Sequence, residues 1–265
     1  MSYLFLSGEV SATLPLCIKR DGWQHTTTAR PMRSLGTCVM YGQLPRAFDA
    51  VLWYCSIDDD NMCVANEKVL RQSGVPCWPD LELLETWGDR RTKLFAAMSH
   101  GFVEDDIEFS HWSMRQAERD TVVKVGNLHV GEGKFLVRKG EDFPYWDAVA
   151  TLEPFVEGRS VRVYVVNDVV GGVEYTNEND WIKNAPGAVT FEVELDEKIV
   201  AHARKVHEFF GFPISGVDYI VRADGSFRFL EHNHFPGITL HAAVEKEITK
   251  VLNEVMDSLE KAACT

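Results

Sequence analysis

Three oxygen-bearing side chains near the carboxyl-terminal end of the sequence, Asp218, Glu231 and Asn233, have the types and spacing of a metal site. The runs that carry them flank Asp224-Gly225, a dipeptide that favours a tight two-residue hairpin turn. In a hairpin with this turn, each step forward on one strand is matched by one step back on the other, so the numbers of any two paired residues add up to the same value. The predicted pairs are Asp218 with Glu231, Tyr219 with Leu230 and Ile220 with Phe229.

Two carboxylates facing each other, with Cβ atoms only ~5 Å apart, destabilise a sheet unless a cation lies between them. Asn233 lies on the same face as Glu231, because side chains alternate along a strand, and ~7 Å further on. Hard oxygen ligands suit Mg²⁺, with Mn²⁺ as a possible substitute, and Mg²⁺ often completes its coordination with waters and nucleotide phosphates. The pattern predicts a Mg²⁺-nucleotide site. The alternative is a hairpin at a sheet edge whose acids point into water.

Two histidines in the same stretch, His232 and His234, are alternative candidates for metal ligands. Strand alternation turns both away from Glu231 and Asn233. They are therefore not expected to be ligands.

The composition limits the class of protein. The chain has 265 residues and a formal net charge of −13, which argues against a nucleic-acid partner. No run approaches ~18 consecutive apolar residues, so we expect no membrane partner. The six cysteines form no CxxC pair and no metal-ligand spacing, which favours reduced thiols and a cytoplasmic protein.

Short apolar runs in residues 1–80 alternate with polar connections, which indicates a small α/β unit. The acidic run 58–61 is interpreted as the capped start of a helix that ends at Gly74. Trp87-Gly88 marks a boundary, and Asp89 opens a helix that reaches His100.

Residues 121–138 predict a strand, a glycine-rich loop and a second strand. Glycines allow close backbone approach to phosphate oxygens, and Lys124 and Lys134 supply positive charge. The stretch does not fit the Walker A pattern. It is interpreted as a phosphate-covering loop, with a flexible hairpin tip as the alternative.

The remaining elements position these groups. Residues 148–166 predict two strands, in which the charges of Glu153 and Arg162 need partners. Residues 196–210 have helical periodicity, with His202 and His207 expected to face solvent. An amphipathic helix follows at about 241–261.

Four segments in this order resemble the ATP-grasp superfamily, and most closely its RimK-type glutamate ligase and synapsin branch. The resemblance covers about residues 88–240 and rests on these segments: VVKVGNLHVGEGK, LEPFVEGRSVRV, DWIKNAPGA and GVDYIVRADGSFRFLEHNHFPG. It implies an α/β (α+β) ATP-grasp fold with two lobes clamping a nucleotide. The implied domains are a small α/β pre-ATP-grasp domain at 1–87 and an ATP-grasp domain at 88–265, with a lid lobe at 88–153 and a metal-binding lobe at 154–265.

The resemblance also implies roles for individual residues. Nucleotide phosphates would be bound by Lys124, Gly131, Gly133 and Lys134. The adenine and ribose would be bound by Glu153, Phe155 and Val156, with a backbone donor from Phe155 or Val156, since Pro154 cannot donate. The metal ligands would be Asp218, Glu231 and Asn233.

Arg162 matches the arginine near the γ-phosphate and acyl phosphate of the family, and Asn184 matches the asparagine of the substrate-side loop. Two departures affect the site. Arg90 stands where the family has a lysine, so either Arg90 or Lys93 would bind the nucleotide. Ile182 replaces an arginine of the substrate loop, with Lys183 beside it.

The implied activity is an ATP-dependent carboxylate-amine ligase with an acyl-phosphate intermediate. Its partners would be ATP, a carboxylate substrate and an amine acceptor, which is a small molecule, a peptide or a protein tail. Two alternatives stay open: a synapsin-like module that binds ATP without ligation, and a small-molecule kinase on the same fold. A homo-oligomer is possible.

Overall fold

The fold is described from a computed structural model over residues 1–7, 20–26, 31–42, 47–54, 60–111, 115–126, 133–177, 181–183, 188–237 and 241–265. Within these ranges the chain forms four β-sheets and five α-helices. None of these helices combines the length and apolar character needed to cross a membrane.

The amino-terminal part is a small α/β unit, as its alternating apolar runs predict. Its elements are β1 (Tyr3–Ser7), β2 (Trp23–Thr26), β3 (Met32–Leu35), β4 (Cys38–Tyr41), β5 (Ala47–Phe48), β6 (Ala50–Tyr54), α1 (Asp60–Ser73) and β7 (Cys77–Trp78). Parallel strands form a sheet of order β2-β1-β6-β7, and β3-β4-β5 form a small antiparallel sheet. Helix α1 ends at Gly74, whose φ of 67° is a left-handed conformation that glycine adopts without strain.

A third sheet, which is antiparallel and has the order β10-β9-β11-β8, follows two helices. The elements are α2 (Leu81–Trp87), α3 (Arg90–Ser99), β8 (Glu108–Ser110), β9 (Thr121–Val125), β10 (Lys134–Val137) and β11 (Ala150–Pro154). Asp89 caps α3 by accepting a hydrogen bond from the Arg91 backbone N–H, so the predicted start of this helix is confirmed.

The largest sheet has five antiparallel strands in the order β14-β13-β12-β15-β16. Its elements are β12 (Arg159–Val166), β13 (Val169–Thr176), β14 (Val189–Glu192), α4 (Glu197–Phe210), β15 (Ile214–Val221), β16 (Phe227–Asn233) and α5 (Ala242–Ala263). Helix α4 packs on one face, where Val163 and Val217 meet Val206. Helix α5 packs on the other, where Tyr164 and Val173 meet Ile248.

Helix α5 also joins the amino-terminal unit to the large sheet. Its Leu252 and Met256 share one apolar cluster with Phe5 and Tyr54. Burial of such side chains stabilises the fold by roughly 1.5–3 kcal/mol each. The carboxyl-terminal helix therefore supports both the first strands of the chain and the strands that carry the candidate site.

The β15–β16 hairpin corrects the predicted turn. Gly225 N–H donates to Arg222 O (3.0 Å) and Arg222 N–H donates to Ser226 O (2.8 Å), which leaves a three-residue loop. Gly225 has a φ of 83°, as three-residue hairpin loops require. The predicted two-residue turn is therefore wrong.

The longer loop shifts the pairing near it by one residue. Tyr219 pairs with Phe229 and Ile220 with Arg228, so the predicted partners Leu230 and Phe229 are wrong. A β-bulge at Leu230 then inserts one extra residue and restores the predicted pair, Asp218 with Glu231.

Two histidines of α4 do not face solvent as expected. His202 bonds through Nδ1 with the Tyr219 hydroxyl (2.9 Å), and His207 bonds through Nδ1 with Ser215 Oγ (2.8 Å). Ser215 Oγ also bonds with His232 Nε2 (2.8 Å). His232 is buried on the sheet face opposite to Glu231 and Asn233, as alternation predicts.

Burial lowers the pKa of His232 well below its usual value of 6.5, and nearby Lys93 and His207 lower it further. The unfolded chain therefore takes up a proton below pH 6.5 that the folded chain does not. The contribution of His232 is present above that pH and is lost as the pH falls. Each such histidine reduces the free energy of unfolding by about 1.4 kcal/mol per pH unit below 6.5.

Urea unfolding between pH 7.5 and 5 should show this dependence of the free energy of unfolding on pH. His232→Phe should reduce the slope by the contribution of one histidine. His111→Asn, at an exposed position, is the control variant. An unchanged slope in His232→Phe would show that His232 is protonated in the folded protein.

Candidate functional site

The carboxylate side of the site is built by three neighbouring strands. Asp218 on β15 lies between Glu231 on β16 and Arg162 on β12. Arg162 binds Asp218 through two parallel hydrogen bonds, Nε to Oδ1 (2.6 Å) and Nη2 to Oδ2 (2.8 Å). Arg162 therefore supplies part of the positive charge that the facing carboxylates require. The strand pairing predicted from the sequence did not identify this bidentate partner.

Asn233 completes this group. Its amide Nδ2 donates to Asp218 Oδ2 (3.1 Å) and to Glu231 Oε1 (3.4 Å). Since the three side chains converge on one point, the structure brings the predicted ligand set together.

Electrostatics distinguish the two acids. Burial raises the pKa of Asp218, partly offset by Arg162, and the nearby charge of Glu231 raises it further. Burial also opposes ionisation of Glu231, but Lys134, Lys124, Arg90 and Arg162 more than offset it and hold its pKa far below the usual range. The surrounding cations therefore favour the ionised form of Glu231, whereas burial disfavours the ionised form of Asp218.

The donor set fits a hard divalent cation. It offers carboxylate oxygens of Asp218 and Glu231, and a half-turn of the Asn233 amide would direct its oxygen to the point where its nitrogen now donates. Among the described residues, no three His, Cys, Asp or Glu side chains form a metal-binding group. Any cation held here would therefore depend on the amide and on water or ligand oxygens.

A pair of like charges also faces the cavity from the other sheet. Lys124 on β9 is the direct cross-strand partner of Lys134 on β10. Lys124 is buried and pairs with Glu153, with 2.6 Å between Nζ and Oε2, and Thr151 Oγ1 donates to Glu153 Oε1 (2.8 Å). Facing ammonium groups destabilise a strand pair, so this arrangement favours an anion between them.

Glu153 acts here as a buried counter-ion. Burial opposes its ionisation, but Lys124 and Arg90 hold the pKa of its carboxyl below the usual value. The Arg90 guanidinium lies 3.8 Å from Glu153 Oε1 and donates to Gly126 O (3.2 Å). The carboxylate thus fixes Lys124 in place, and because Glu153 also lines the cavity, its contact with adenine or ribose stays a prediction.

Lys93 lies one turn after Arg90 on α3 but has different neighbours. Its Nζ lies 3.1 Å from His234 Nδ1. Burial, together with the charge of Arg90, lowers the pKa of Lys93 to about 8, although the charge of Glu231 acts in the opposite direction. The structure therefore places Arg90 beside Glu153 and Lys93 behind β16.

A cavity of about 310 Å³ lies between the lysine pair and the carboxylate pair, large enough for a small ligand. Seven of the predicted site residues line it: Lys124, Lys134, Glu153, Phe155, Val156, Asp218 and Glu231. Arg162, Asn233 and Arg90 contact these residues from outside the lining, and Gly133 precedes Lys134 with a φ of 63°. Gly131 and Asn184 lie outside the described residues.

The cavity also has walls that sequence reasoning missed. Leu230 lines it because the bulge brings this residue to the same side as Glu231. Trp181 and Lys183 line it from the segment 181–183. No local pattern in the sequence marks Leu230 as a cavity residue. The segment 181–183 is marked, because Ile182 stands where the resembling family has an arginine.

The end of strand β11, at the cavity, offers few backbone N–H groups that could donate to a bound ligand. Phe155 N–H already donates to Asp120 O (2.9 Å), and Pro154 has no N–H. Val156 is therefore the remaining candidate. The Phe155 ring lies edge-on to Trp181 (6.2 Å between centroids), and the Arg138 guanidinium lies 5.6 Å from its centroid.

Comparisons with known proteins identify the fold. Residues 150–256 match the RimK-like ATP-grasp domain. The whole chain is similar to the D-alanyl-alanine synthetase A of Vibrio cholerae O1 biovar eltor str. N16961, with a TM-score of 0.69 and 14% identity over 98% of each chain. No curated protein matches the sequence significantly.

Two further solved structures share the fold. The macrocyclase MdnC from Microcystis aeruginosa MRC, bound with precursor peptide MdnA, has a TM-score of 0.59 and 11% identity over 96% of this chain and 100% of that one. The ATP-grasp ligase PsnB, complexed with a phosphomimetic variant of minimal precursor, Mg and ADP, has a TM-score of 0.59 and 13% identity over 98% and 99%. At these identities the similarity shows an ATP-grasp fold.

The two facing lysines should differ in their effect on stability. Lys124→Met leaves Glu153 buried without its closest partner, so we expect a loss of about 3 kcal/mol in the free energy of unfolding. Lys134→Met, at a half-buried position, should cost less than about 1 kcal/mol. Chemical unfolding of both variants measures the difference.

The double variant Lys124→Met/Glu153→Gln removes both charges and should recover most of the loss. Equal destabilisation by Lys124→Met and Lys134→Met, with no recovery in the double variant, would contradict the counter-ion role of Glu153.

Proposed function

We propose that the chain, in which residues 150–256 match the RimK-like ATP-grasp domain, is an ATP-dependent ligase that joins a carboxylate to an amine. One observation carries the proposal. A lysine pair, Lys124 with Lys134, and a carboxylate pair, Asp218 with Glu231, line opposite sides of one cavity. A polyphosphate and a divalent cation between the two pairs would satisfy both at once.

The nucleotide is proposed to lie along the cavity with its phosphates at the lysine pair. The base would lie against the apolar walls Val122, Ile220 and Leu230. Val156 N–H would donate to the edge of the adenine, since Phe155 N–H is already used within the protein.

Asp218, Glu231 and Asn233 would hold Mg²⁺, which would neutralise charge on the phosphates when bound. Arg162 holds Asp218 in position and also supplies positive charge at this side. The Arg162 guanidinium also lies 5.4 Å from the centroid of the Tyr175 ring, and this contact helps to hold the guanidinium in position.

The proposed reaction has two steps. A carboxylate oxygen of the substrate attacks the γ-phosphorus, and the bond to the bridging oxygen breaks, which releases ADP and leaves an acyl phosphate. The amine nitrogen of the acceptor then attacks the carbonyl carbon, phosphate leaves, and the amine gives up a proton. Positioning and charge neutralisation by Lys124 and Arg162 supply the catalysis, since phosphoryl transfer needs no protein nucleophile.

Similarity to the synthetase of Vibrio cholerae and to MdnC supports a ligase with an amino-acid or peptide acceptor. Trp181 and Lys183 would contact this acceptor, because both line the cavity. ADP formation that requires both a carboxylate and an amine separates a ligase from a binding module. A stable phosphorylated product would instead indicate a kinase.

Val156→Pro removes the proposed adenine donor. We expect ATP affinity to fall by about tenfold, the equivalent of one hydrogen bond in an apolar site. Val156→Ala keeps the N–H and should bind ATP like the wild type. Calorimetry on both variants tests the assignment, and equal affinities would exclude Val156 N–H as the donor.

Glu231→Gln removes the charged ligand of the proposed metal. ADP formation should fall by about 100-fold or more, because charge at the phosphates is no longer neutralised, while the thermal unfolding transition stays cooperative. A coupled ADP assay on purified protein measures this.

Glu157→Gln is the matched control, since Glu157 is an exposed acid that lines the same cavity. It should keep activity within about threefold of the wild type. Near-normal turnover by Glu231→Gln would refute the metal-ligand assignment.

A further inference from the structure

Strand β14 is an edge strand of the five-stranded sheet. It pairs with β13, and among the described residues no strand pairs with its outer side. Val193 N–H donates to Gly172 O (3.0 Å), and Val189 O accepts from Thr176 Oγ1 (3.3 Å), so these backbone groups point inward. Because backbone direction alternates along a strand, the N–H and C=O of Thr190 and Glu192 point outward.

The side chains of this edge have two distinct faces. Val189 and Phe191 lie on the face of α4 and are 63% and 43% exposed. Thr190 and Glu192 lie on the opposite face, in register with the residues of the cavity. The exposed carboxylates of Glu192 and Glu194 make this edge anionic.

The edge is close to the cavity. Thr190 lies in one cross-strand row with Tyr175, Ser160 and Ile220, and the last two line the cavity. With strands ~4.8 Å apart, a chain paired outside β14 would run ~14 Å from Ser160. The Val189 end of β14 is the end directed toward the cavity.

We propose that β14 binds the acceptor or carboxylate substrate as an extended peptide, by addition of a strand to the sheet edge. The peptide would alternate apolar and basic residues. Its apolar side chains would pack beside Val189 and Phe191, and its basic side chains would pair with Glu192 and Glu194. This inference rests on the proposed ligase function and names the class of its substrate.

The geometry also sets the position of the reacting group. At ~3.3 Å per extended residue, about four residues separate the docked segment from the cavity. The reacting carboxylate or amine would therefore lie outside the docked segment, toward the Val189 end of β14.

Fluorescence anisotropy with labelled peptides tests the docking. The probes are VKVKVK, its acidic counterpart VEVEVE, and VKPKVK, in which proline removes a backbone donor. VKVKVK should bind the wild type at low salt, and the other two should bind at least about fivefold more weakly. No binding of VKVKVK, or equal binding of VEVEVE, would overturn the proposal.

Two variants locate the surface. Thr190→Pro removes an outward N–H without loss of an inward one and should weaken VKVKVK binding about fivefold or more, whereas Thr190→Ala should not. Glu192→Lys should weaken it similarly, with Glu208→Lys on α4 as the control for added positive charge. If Thr190→Pro fails to fold, Glu192→Lys and its control decide the result. Binding unchanged in Glu192→Lys would overturn the proposal.

Sedimentation of the wild type and Glu192→Lys excludes the competing occupant. A wild-type dimer that Glu192→Lys dissociates would assign the edge to a second copy of the chain and would also overturn the proposal.

Stabilisation by Mg²⁺ and ATP, measured on the same variants, separates this inference from the proposed function. If the nucleotide stabilises the wild type but the peptide results fail, the docking edge alone is wrong. If the peptide results hold and no variant responds to the nucleotide, the ligase function is wrong.

Discussion

Repulsion between like charges on neighbouring strands constrains the centre of this molecule. Asp218 faces Glu231 in one sheet, and Lys124 faces Lys134 in another, with a cavity between the pairs. The protein offsets part of each repulsion internally, through Arg162 at Asp218 and Glu153 at Lys124. Lys134 and Glu231 both line the cavity, so an anion and a cation bound there together would offset the remaining repulsion.

Much of this arrangement could be predicted from the sequence, but the route to the carboxylate pair contained two errors that cancel. The loop at Asp224 has three residues instead of two, which shifts the register by one, and the bulge at Leu230 shifts it back. Turn propensity is local and readable from the Asp-Gly dipeptide. A bulge depends on packing around the strand, and the residue types next to Leu230 do not predict one.

Other features depend on tertiary contacts that no local pattern contains. His202 and His207 lie on the polar side of a helical pattern, yet the sheet supplies Tyr219 and Ser215 as partners. The sequence does not distinguish Phe155 from Val156 as a backbone donor, because it does not show that Phe155 N–H donates to Asp120 O in the fold. The helix starts and ends, by contrast, follow from capping residues such as Asp89, because those signals are local.

The central claim is that the cavity binds a nucleotide and a divalent cation as one unit. Isothermal titration calorimetry of ADP into the purified protein, with Mg²⁺ and then with EDTA, measures this coupling directly. The account predicts saturable binding with Mg²⁺ and affinity at least about tenfold weaker with EDTA. ADP affinity that is the same in both buffers, or no heat in either, would contradict it.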